Sequence, residues 1–184
     1  MQPLEYNFDE RLAFSEGFAE SASVEAIILD NLPGACKVVS AHKDNDRNGT
    51  DWWVETRGGN WLSVDAKVRE QDWAAKPGHI ACDDLALEIW SVVEKSIIGW
   101  TRNKSKRTDY VLWLWKDTGR WCLVPFQMLC RVFEDNWRRW ANTYKTRKQF
   151  TPRDHGGYHS ECVFVPRREV WKEIYNAFGG KATL

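Results

Sequence analysis

The sequence predicts a mixed α/β (α+β) fold in one domain that spans residues 1–184, and three observations predict it. The chain has 184 residues, which suits one domain, and its 43% hydrophobic and 14% aromatic content excludes intrinsic disorder. Apolar residues recur at helical spacing near both ends of the chain. Between these ends, short runs rich in β-branched and aromatic residues alternate with turn signals, as strands joined in hairpins do.

The first predicted elements are a helix, a short strand and a hairpin. Apolar residues at helical spacing predict a helix over Asp9–Leu29, which the segment Asn31-Leu32-Pro33-Gly34 ends. A short strand follows at Cys36–Val39. Asp51–Glu55 and Trp61–Val68 are predicted to form a hairpin, because a Gly-Gly-Asn turn signal separates them.

The later elements are strands and two helices. β-branched and aromatic runs predict strands at Leu85–Ser91, Tyr110–Trp115, Trp121–Pro125 and Cys162–Val165. The strand at 110–115 is apolar on both faces, so we expect it to be covered on both sides. Helices are predicted at Phe126–Tyr144 and at Pro166–Phe178, where the proline suits a first helical turn. The segment Thr151–Ser160 is expected to be a loop.

The charges are unevenly distributed, although the formal net charge is zero. Residues 1–94 carry 18 acidic and 8 basic side chains, a net of −10, and residues 95–184 carry 18 basic and 8 acidic ones, a net of +10. Such a split suits either a cation site and a phosphate-binding surface or mutual neutralisation across one core. No CxxC pair, signal peptide or membrane-length apolar run is present, so we expect a cytoplasmic protein without a membrane partner.

The triplet Asp65-Ala66-Lys67 is the most informative motif. Side chains two apart on a strand share a face, so the carboxylate and the ammonium should lie side by side, and Asp51 on the neighbouring strand should lie near them. Two carboxylates and a lysine can hold Mg²⁺ and handle a water beside it. The alternative is a surface ion pair on the solvated face of the hairpin.

Two further acids are candidates for the same site. Glu25 falls in the middle of the apolar stripe that Phe14, Phe18, Ala22 and Leu29 form, and a core-facing acid needs a metal or a partner. Its alternative is a structural pair with Lys or Arg. Another candidate is Glu88, which lies within an apolar strand and would either join the site or face water.

These residues resemble the PD-(D/E)xK (restriction-endonuclease-like) nuclease superfamily. The features that carry the resemblance are an acidic helix, Asp51 at the start of a strand, a hairpin and Asp65-x-Lys67 on the next strand. Leu87-Glu88-Ile89, Gly99-Trp100 and Thr108-Asp109-Tyr110 resemble a subset of small phage and bacterial proteins with this core. The features cover roughly residues 10–125, and Thr50 stands where many members have proline before the first acid.

The resemblance implies a restriction-endonuclease-like central mixed β-sheet flanked by helices, with a metal-dependent phosphodiesterase site. It implies that Asp51 and Asp65 bind the metal, that Glu25 is an additional ligand and that Lys67 positions the attacking water. Mg²⁺ is the expected cofactor and Mn²⁺ its substitute, and Glu88 is a further candidate ligand.

Basic residues interleaved with aromatic ones predict contact with nucleic acid, since Lys and Arg neutralise phosphates and aromatic rings stack on bases. The residues predicted to contact it are Arg102, Lys104, Lys106, Arg107, Arg138 and Arg139. The alternative is ordinary solvated charge on a loop and a helix.

Together these features predict a Mg²⁺-dependent endonuclease or exonuclease that hydrolyses DNA or RNA by in-line attack of a metal-activated water. The alternative is a non-catalytic phage or bacterial accessory protein that binds nucleic acid or a partner on the same scaffold. A homodimer is compatible with either function. No phosphate-loop, GxGxxG, GxSxG or HExxH motif is present, which disfavours an ATPase, a dinucleotide enzyme, a serine hydrolase and a zinc protease.

Overall fold

The computed structural model describes residues 22–41, 49–79, 82–153 and 156–179. Its α-helices are α1 (Ala22–Asn31), α2 (Phe126–Thr143) and α3 (Arg167–Ile174). None of these described helices is long and apolar enough to cross a membrane. The part of the predicted first helix that precedes residue 22 lies outside the described residues.

The strands are β1 (Ala35–Ser40), β2 (Trp52–Thr56), β3 (Trp61–Arg69), β4 (Asp84–Val92), β5 (Ile97–Ile98), β6 (Tyr110–Trp115), β7 (Trp121–Pro125), β8 (Thr146–Arg153) and β9 (Gly156–Pro166). Five of them form a sheet in the order β1-β2-β3-β6-β7, and four form a sheet in the order β5-β4-β9-β8. The first sheet is mixed, because β2 is antiparallel to β1 and β3, whereas β6 is parallel to β3. The predicted mixed α+β class is confirmed, and a restriction-endonuclease-like arrangement stays a prediction.

The chain divides into two compact units. The first contains the described residues through Asp72 together with Arg107–Leu123, and the second contains Trp73–Lys106 together with the described residues from Val124 onward. A single domain over residues 1–184 stays a prediction.

In the first unit, α1 packs on one face of the five-stranded sheet. Val24, Ile28 and Leu32 are buried because their spacing of four residues places them on one side of the chain as it leaves the helix. They join an apolar cluster on β1, β2, β3 and β6 whose members are Val38, Trp52, Val54, Val64, Ala66, Leu112 and Leu114. Burial of each such side chain stabilises the fold by about 1.5–3 kcal/mol.

Strand β6 is buried on both faces, as its sequence predicts. Leu112 and Leu114 face the α1 side, and Val111, Trp113 and Trp115 are buried on the opposite side. The parallel register pairs β6 with β3 from Val64 to Arg69, so the site-bearing strand lies against a fully buried neighbour.

In the second unit, β8 and β9 form an antiparallel ribbon. The expectation of a loop over Thr151–Ser160 is wrong, because β8 runs through Arg153 and β9 begins at Gly156. Strand pairing from Thr146 with Val163 to Arg153 with Gly156 supplies hydrogen-bond partners to the backbone of this segment.

Candidate active site

Strand β3 places the predicted pair on one face. Successive side chains alternate, so Asp65 and Lys67 project away from the face that packs on α1. The Lys67 Nζ lies 2.6 Å from Asp65 Oδ1, and the side chains of Lys67 and Asp65 are 32% and 2% exposed, respectively. The carboxylate of this ion pair is therefore withdrawn from water, unlike that of a solvated surface pair.

Asp51 is held beside this pair by the hairpin. Its backbone N–H donates to the Val64 carbonyl oxygen (3.0 Å), and its Oδ2 accepts a hydrogen bond from the Ala66 backbone N–H (2.6 Å). The antiparallel register of β2 with β3 pairs Trp52 with Val64. Continuing it by one residue, back along the chain from Trp52 and forward from Val64, places Asp51 opposite Asp65. The two acids therefore occupy adjacent positions on neighbouring chain segments.

The surrounding charges keep Lys67 protonated. Burial of the ammonium favours its neutral form, but the Asp65 charge, the hydrogen bond to Asp65 and the Asp51 charge together outweigh burial. The pKa of Lys67 is therefore raised above its ordinary value of 10.5. At neutral pH this side chain is an ammonium that donates hydrogen bonds.

The entry to β6 is joined to β3 just before the pair. Asp109 Oδ2 accepts hydrogen bonds from the backbone N–H of Ser63 (2.8 Å) and from its hydroxyl (3.0 Å). The buried Thr108 hydroxyl donates to the Gly49 carbonyl oxygen (2.7 Å). The Thr-Asp-Tyr motif thus fixes β3 two residues before Asp65, and Ser63 is the partner that sequence reasoning missed.

Glu25 lies in the first turn of α1 and is half-buried. Among the α1 residues whose burial is described, Val24 to Asn31, the fully buried ones are Val24 and Ile28, so the expectation that Glu25 lies at the centre of the core-facing stripe is wrong. Glu25 lies about 100° around the helix from its neighbour Val24. Its role as a metal ligand stays a prediction.

Glu88 belongs to the second unit, where it stabilises a 3₁₀ turn over Trp100–Arg102. Its Oε2 accepts hydrogen bonds from the Trp100 backbone N–H (2.8 Å) and the Ser91 hydroxyl (2.8 Å). A Cβ at Gly99 would overlap the Glu88 carbonyl group, so only glycine fits there. These contacts explain the Glu88 and Gly99-Trp100 motifs structurally, and a metal-binding role of Glu88 stays a prediction.

The donor chemistry of Asp51 and Asp65 fits a magnesium ion. Mg²⁺ is commonly bound through one or two carboxylates, several waters and substrate phosphates. Within the described parts of the chain, no group of three or more His, Cys, Asp or Glu side chains is arranged to hold a metal ion. Asp51 and Asp65 are the described side chains that would hold such an ion, with water and substrate completing its coordination.

Arg102, one of the predicted phosphate contacts, is held inside the second unit. Its guanidinium donates two hydrogen bonds to Glu134 (3.0 and 3.3 Å) and lies 4.8 Å from the ring centre of Trp90 and 4.4 Å from that of Trp137. The hydrogen bond from Arg102 lowers the pKa of Glu134, against the opposing effect of burial. Only 10% of the Arg102 side chain is exposed, which does not favour its predicted contact with nucleic acid.

The other predicted phosphate contacts differ in their surroundings. Arg139 also has a protein partner, because its Nη2 lies 2.7 Å from Glu173 Oε1. The Lys106 Nζ lies 5.2 Å from the ring centre of Trp100. The exposed members of the predicted set are Lys104, Arg107, Arg138 and Arg139.

No protein-family model, no curated protein and no solved structure matches the chain. The resemblance to the PD-(D/E)xK superfamily therefore stays a prediction that depends on the residues of the β2–β3 hairpin.

Proposed function

We propose that this chain is a metal-dependent nuclease that hydrolyses phosphodiester bonds of DNA or RNA. The observation that carries the proposal is the short Asp65–Lys67 ion pair with Asp51 beside it. Asp51 and Asp65 bring two negative charges to a place that is partly withdrawn from water, with the positive charge of Lys67 beside them. A bound cation offsets such a charge, whereas a purely structural ion pair needs only one of the two acids.

Each side chain has a separate part in the proposed reaction. Asp51 and Asp65 hold the cation, which when bound lowers the pKa of a water and stabilises negative charge on the phosphate. Lys67 donates hydrogen bonds to the attacking water and to a phosphate oxygen, and Asp65 fixes the position of its ammonium. The water attacks phosphorus in line with the leaving oxygen, whose bond to phosphorus breaks, so no covalent enzyme intermediate forms. The proton that the water loses goes to solvent, and the leaving oxygen takes a proton from solvent.

The experiment measures cleavage of labelled single-stranded DNA, duplex DNA and RNA with Mg²⁺ or Mn²⁺. We expect Asp65→Asn and Lys67→Met to lose about 100-fold or more of the activity, the usual effect of removing a group that stabilises charge in the transition state. Matched controls are Glu55→Gln on β2 and Lys37→Met on β1, which remove the same charges from the same sheet and should keep full activity. Equal cleavage by the wild type and Asp65→Asn would refute the assigned site.

A second candidate function is binding of nucleic acid or a protein partner without catalysis. The observation that favours it is that both acids already have protein partners, since Lys67 pairs with Asp65 and the Ala66 N–H binds Asp51. This candidate predicts salt-dependent binding of nucleic acid without cleavage under any divalent cation. Unchanged binding by Asp65→Asn, together with no turnover by the wild type, would establish it.

The proposed setting is the cytoplasm of a bacterium, including one infected by a phage. No disulfide joins the five cysteines, all of which lie in the described residues, and this supports a reducing compartment. A homodimer stays a prediction, which sedimentation at several protein concentrations would check.

A further inference from the structure

A cavity in the second unit combines basic and apolar side chains. Its volume is about 460 Å³, which is within the range of small-molecule sites. The described residues that line it all belong to the second unit, and none of them is acidic. They are Lys104, Gln127, Met128, Cys130, Arg131 and Phe178.

The apolar wall of the cavity contains large side chains that are open to solvent. Phe178 is 48% exposed and Met128 is 36% exposed. Cys130 is buried, and burial raises the pKa of its thiol. The thiol therefore stays neutral at neutral pH and does not repel an anion. This wall thus offers an aromatic ring and a neutral, apolar surface to a ligand.

The charges around the cavity are positive overall. Lys104 and Arg131 line it, and both are exposed. Two acids of α2 lie close by, and each has a basic partner: Glu134 binds Arg102, and Asp135 Oδ2 lies 3.0 Å from Arg131 Nε. The Arg131–Asp135 pair is weak, because its side chains are 67% and 59% exposed, so a phosphate can compete with Asp135. Three basic and two acidic side chains leave a net charge of +1.

Gln127 adds one oriented polar group to the cavity. Its Nε2 donates a hydrogen bond to the Lys106 carbonyl oxygen (3.4 Å), which fixes the direction of the amide. The Oε1 of the same amide is an acceptor. Such an oxygen matches the amino group that adenine and cytosine carry. A small number of placed polar groups on a mostly apolar wall is the usual composition of a small-molecule site.

We propose that this cavity binds a nucleotide. Its phosphate lies between Lys104 and Arg131, since Lys and Arg are the side chains that bind phosphate through charge-assisted hydrogen bonds. Its base stacks on Phe178, and an amino group of the base donates to Gln127. A simple anion would leave the apolar wall unused, and an apolar ligand would leave the cations without a counter-charge. The inference does not rest on the proposed nuclease function, because the second unit alone supplies the site.

The test is isothermal titration calorimetry with AMP, in the presence of a chelator and without divalent cation. We expect a Kd of about 10–100 μM, which a ligand of this size reaches at ordinary ligand efficiency. Inorganic phosphate and adenosine should each bind at least about tenfold more weakly, because each lacks one part of the contacts. Phosphate, adenosine or decanoate that binds as tightly as AMP would overturn the proposal, and so would the absence of binding at about 1 mM AMP.

Variants of the lining residues locate the binding. Lys104→Gln removes a phosphate contact and Phe178→Ala removes the stacking ring, and each should weaken AMP binding about tenfold. Matched controls are Lys95→Gln and Phe150→Ala, which change exposed residues of the same types in the same unit and should bind AMP as the wild type does. Wild-type affinity in both Lys104→Gln and Phe178→Ala, with native circular dichroism, would overturn the proposal.

The same chemistry occurs in a free nucleotide and at the phosphorylated end of a strand. Tetra-adenylate with a 5′-phosphate, compared with AMP and with the 5′-hydroxyl strand, distinguishes the two sources. Tighter binding of the phosphorylated strand than of AMP assigns the site to strand ends, and weaker binding assigns it to free nucleotides. Equal affinity for the phosphorylated and the hydroxyl strand would overturn the phosphate contact. A chain that binds AMP but cleaves no nucleic acid retains this proposal and loses the nuclease proposal, and a nuclease that binds no AMP gives the opposite result.

Discussion

The Asp65–Lys67 pair allows stability and catalysis to be separated experimentally. Replacing Lys67 with Met keeps the length of the side chain but leaves Asp65, which is 2% exposed, without its counter-charge. At 2.6 Å and an effective dielectric constant of 20, Coulomb's law gives about 6 kcal/mol for the pair. Because 32% of the Lys67 side chain reaches solvent, we expect a net loss of about 3 kcal/mol, the lower end of the range for breaking a buried pair.

Urea unfolding of the wild type and the variants measures this loss. A destabilisation of about 3 kcal/mol corresponds to a fall in Tm of about 6–12 °C for a chain of this size. The double variant Asp65→Asn, Lys67→Met removes both charges and leaves neither unpaired. Its loss in the free energy of unfolding should therefore be about 2 kcal/mol smaller than the sum of the losses in the two single variants. Lys37→Met, on exposed β1, should change stability by less than about 0.5 kcal/mol.

The double variant also separates folding from activity. It should be folded at the assay temperature yet inactive, because it lacks both the proposed ligand and the proposed donor. If the stability losses of Asp65→Asn and Lys67→Met simply add up in the double variant, the reasoning is refuted, because the two charges then do not stabilise each other. A double variant that cleaves nucleic acid at the wild-type rate would refute the catalytic assignment alone.

Two further predictions concern the second unit. Gly99→Ala should destabilise the protein by about 2 kcal/mol, because its Cβ would overlap the Glu88 backbone, whereas Gly58→Ala, with neighbours at 3.8 Å, should cost less than about 0.5 kcal/mol in urea unfolding. Glu134→Gln should cost about 1 kcal/mol at pH 7, because a partly exposed carboxylate loses its hydrogen bonds with Arg102. The pKa of Glu134 is lowered on folding, so its contribution is present above the ordinary value of 4.5 and is lost as the pH falls through the folded pKa. The difference in the free energy of unfolding between the wild type and Glu134→Gln should therefore shrink below pH 4.5. A difference that stays constant down to pH 2.5 would contradict this account.

The pairing within the β2–β3 hairpin could be predicted from the sequence because it is local. Alternation along a strand places Asp65 and Lys67 on one face, and a glycine turn sets the register that brings Asp51 next to them. Both facts depend on residues fewer than 20 positions apart in the chain. In contrast, the orientation of Glu25 could not be predicted, because α1 has several apolar positions and only packing selects which of them face the sheet.

The division of the strands into two sheets could not be predicted, because it depends on distant pairings. Strand β4 pairs with β9, so Leu85 lies opposite Val165, about 80 residues away, and nothing local to either strand specifies the other. Strand β8 was missed for a different reason. Its residues are almost all exposed, so it lacks the alternation of apolar and polar residues that indicates a half-buried strand.

Counting charges in a sequence does not show which cations already have a protein partner in the folded chain. Arg102 was predicted to bind phosphate, yet the folded chain places it between two indole rings and against Glu134, 32 residues away. The Nε and Nη2 of this guanidinium donate to Glu134, and moving the guanidinium to a phosphate would leave the Glu134 carboxylate without this partner. The accessible positive charge of the second unit therefore lies on other residues. Arg147 and Lys148, which are exposed on the outer strand β8, supply part of it.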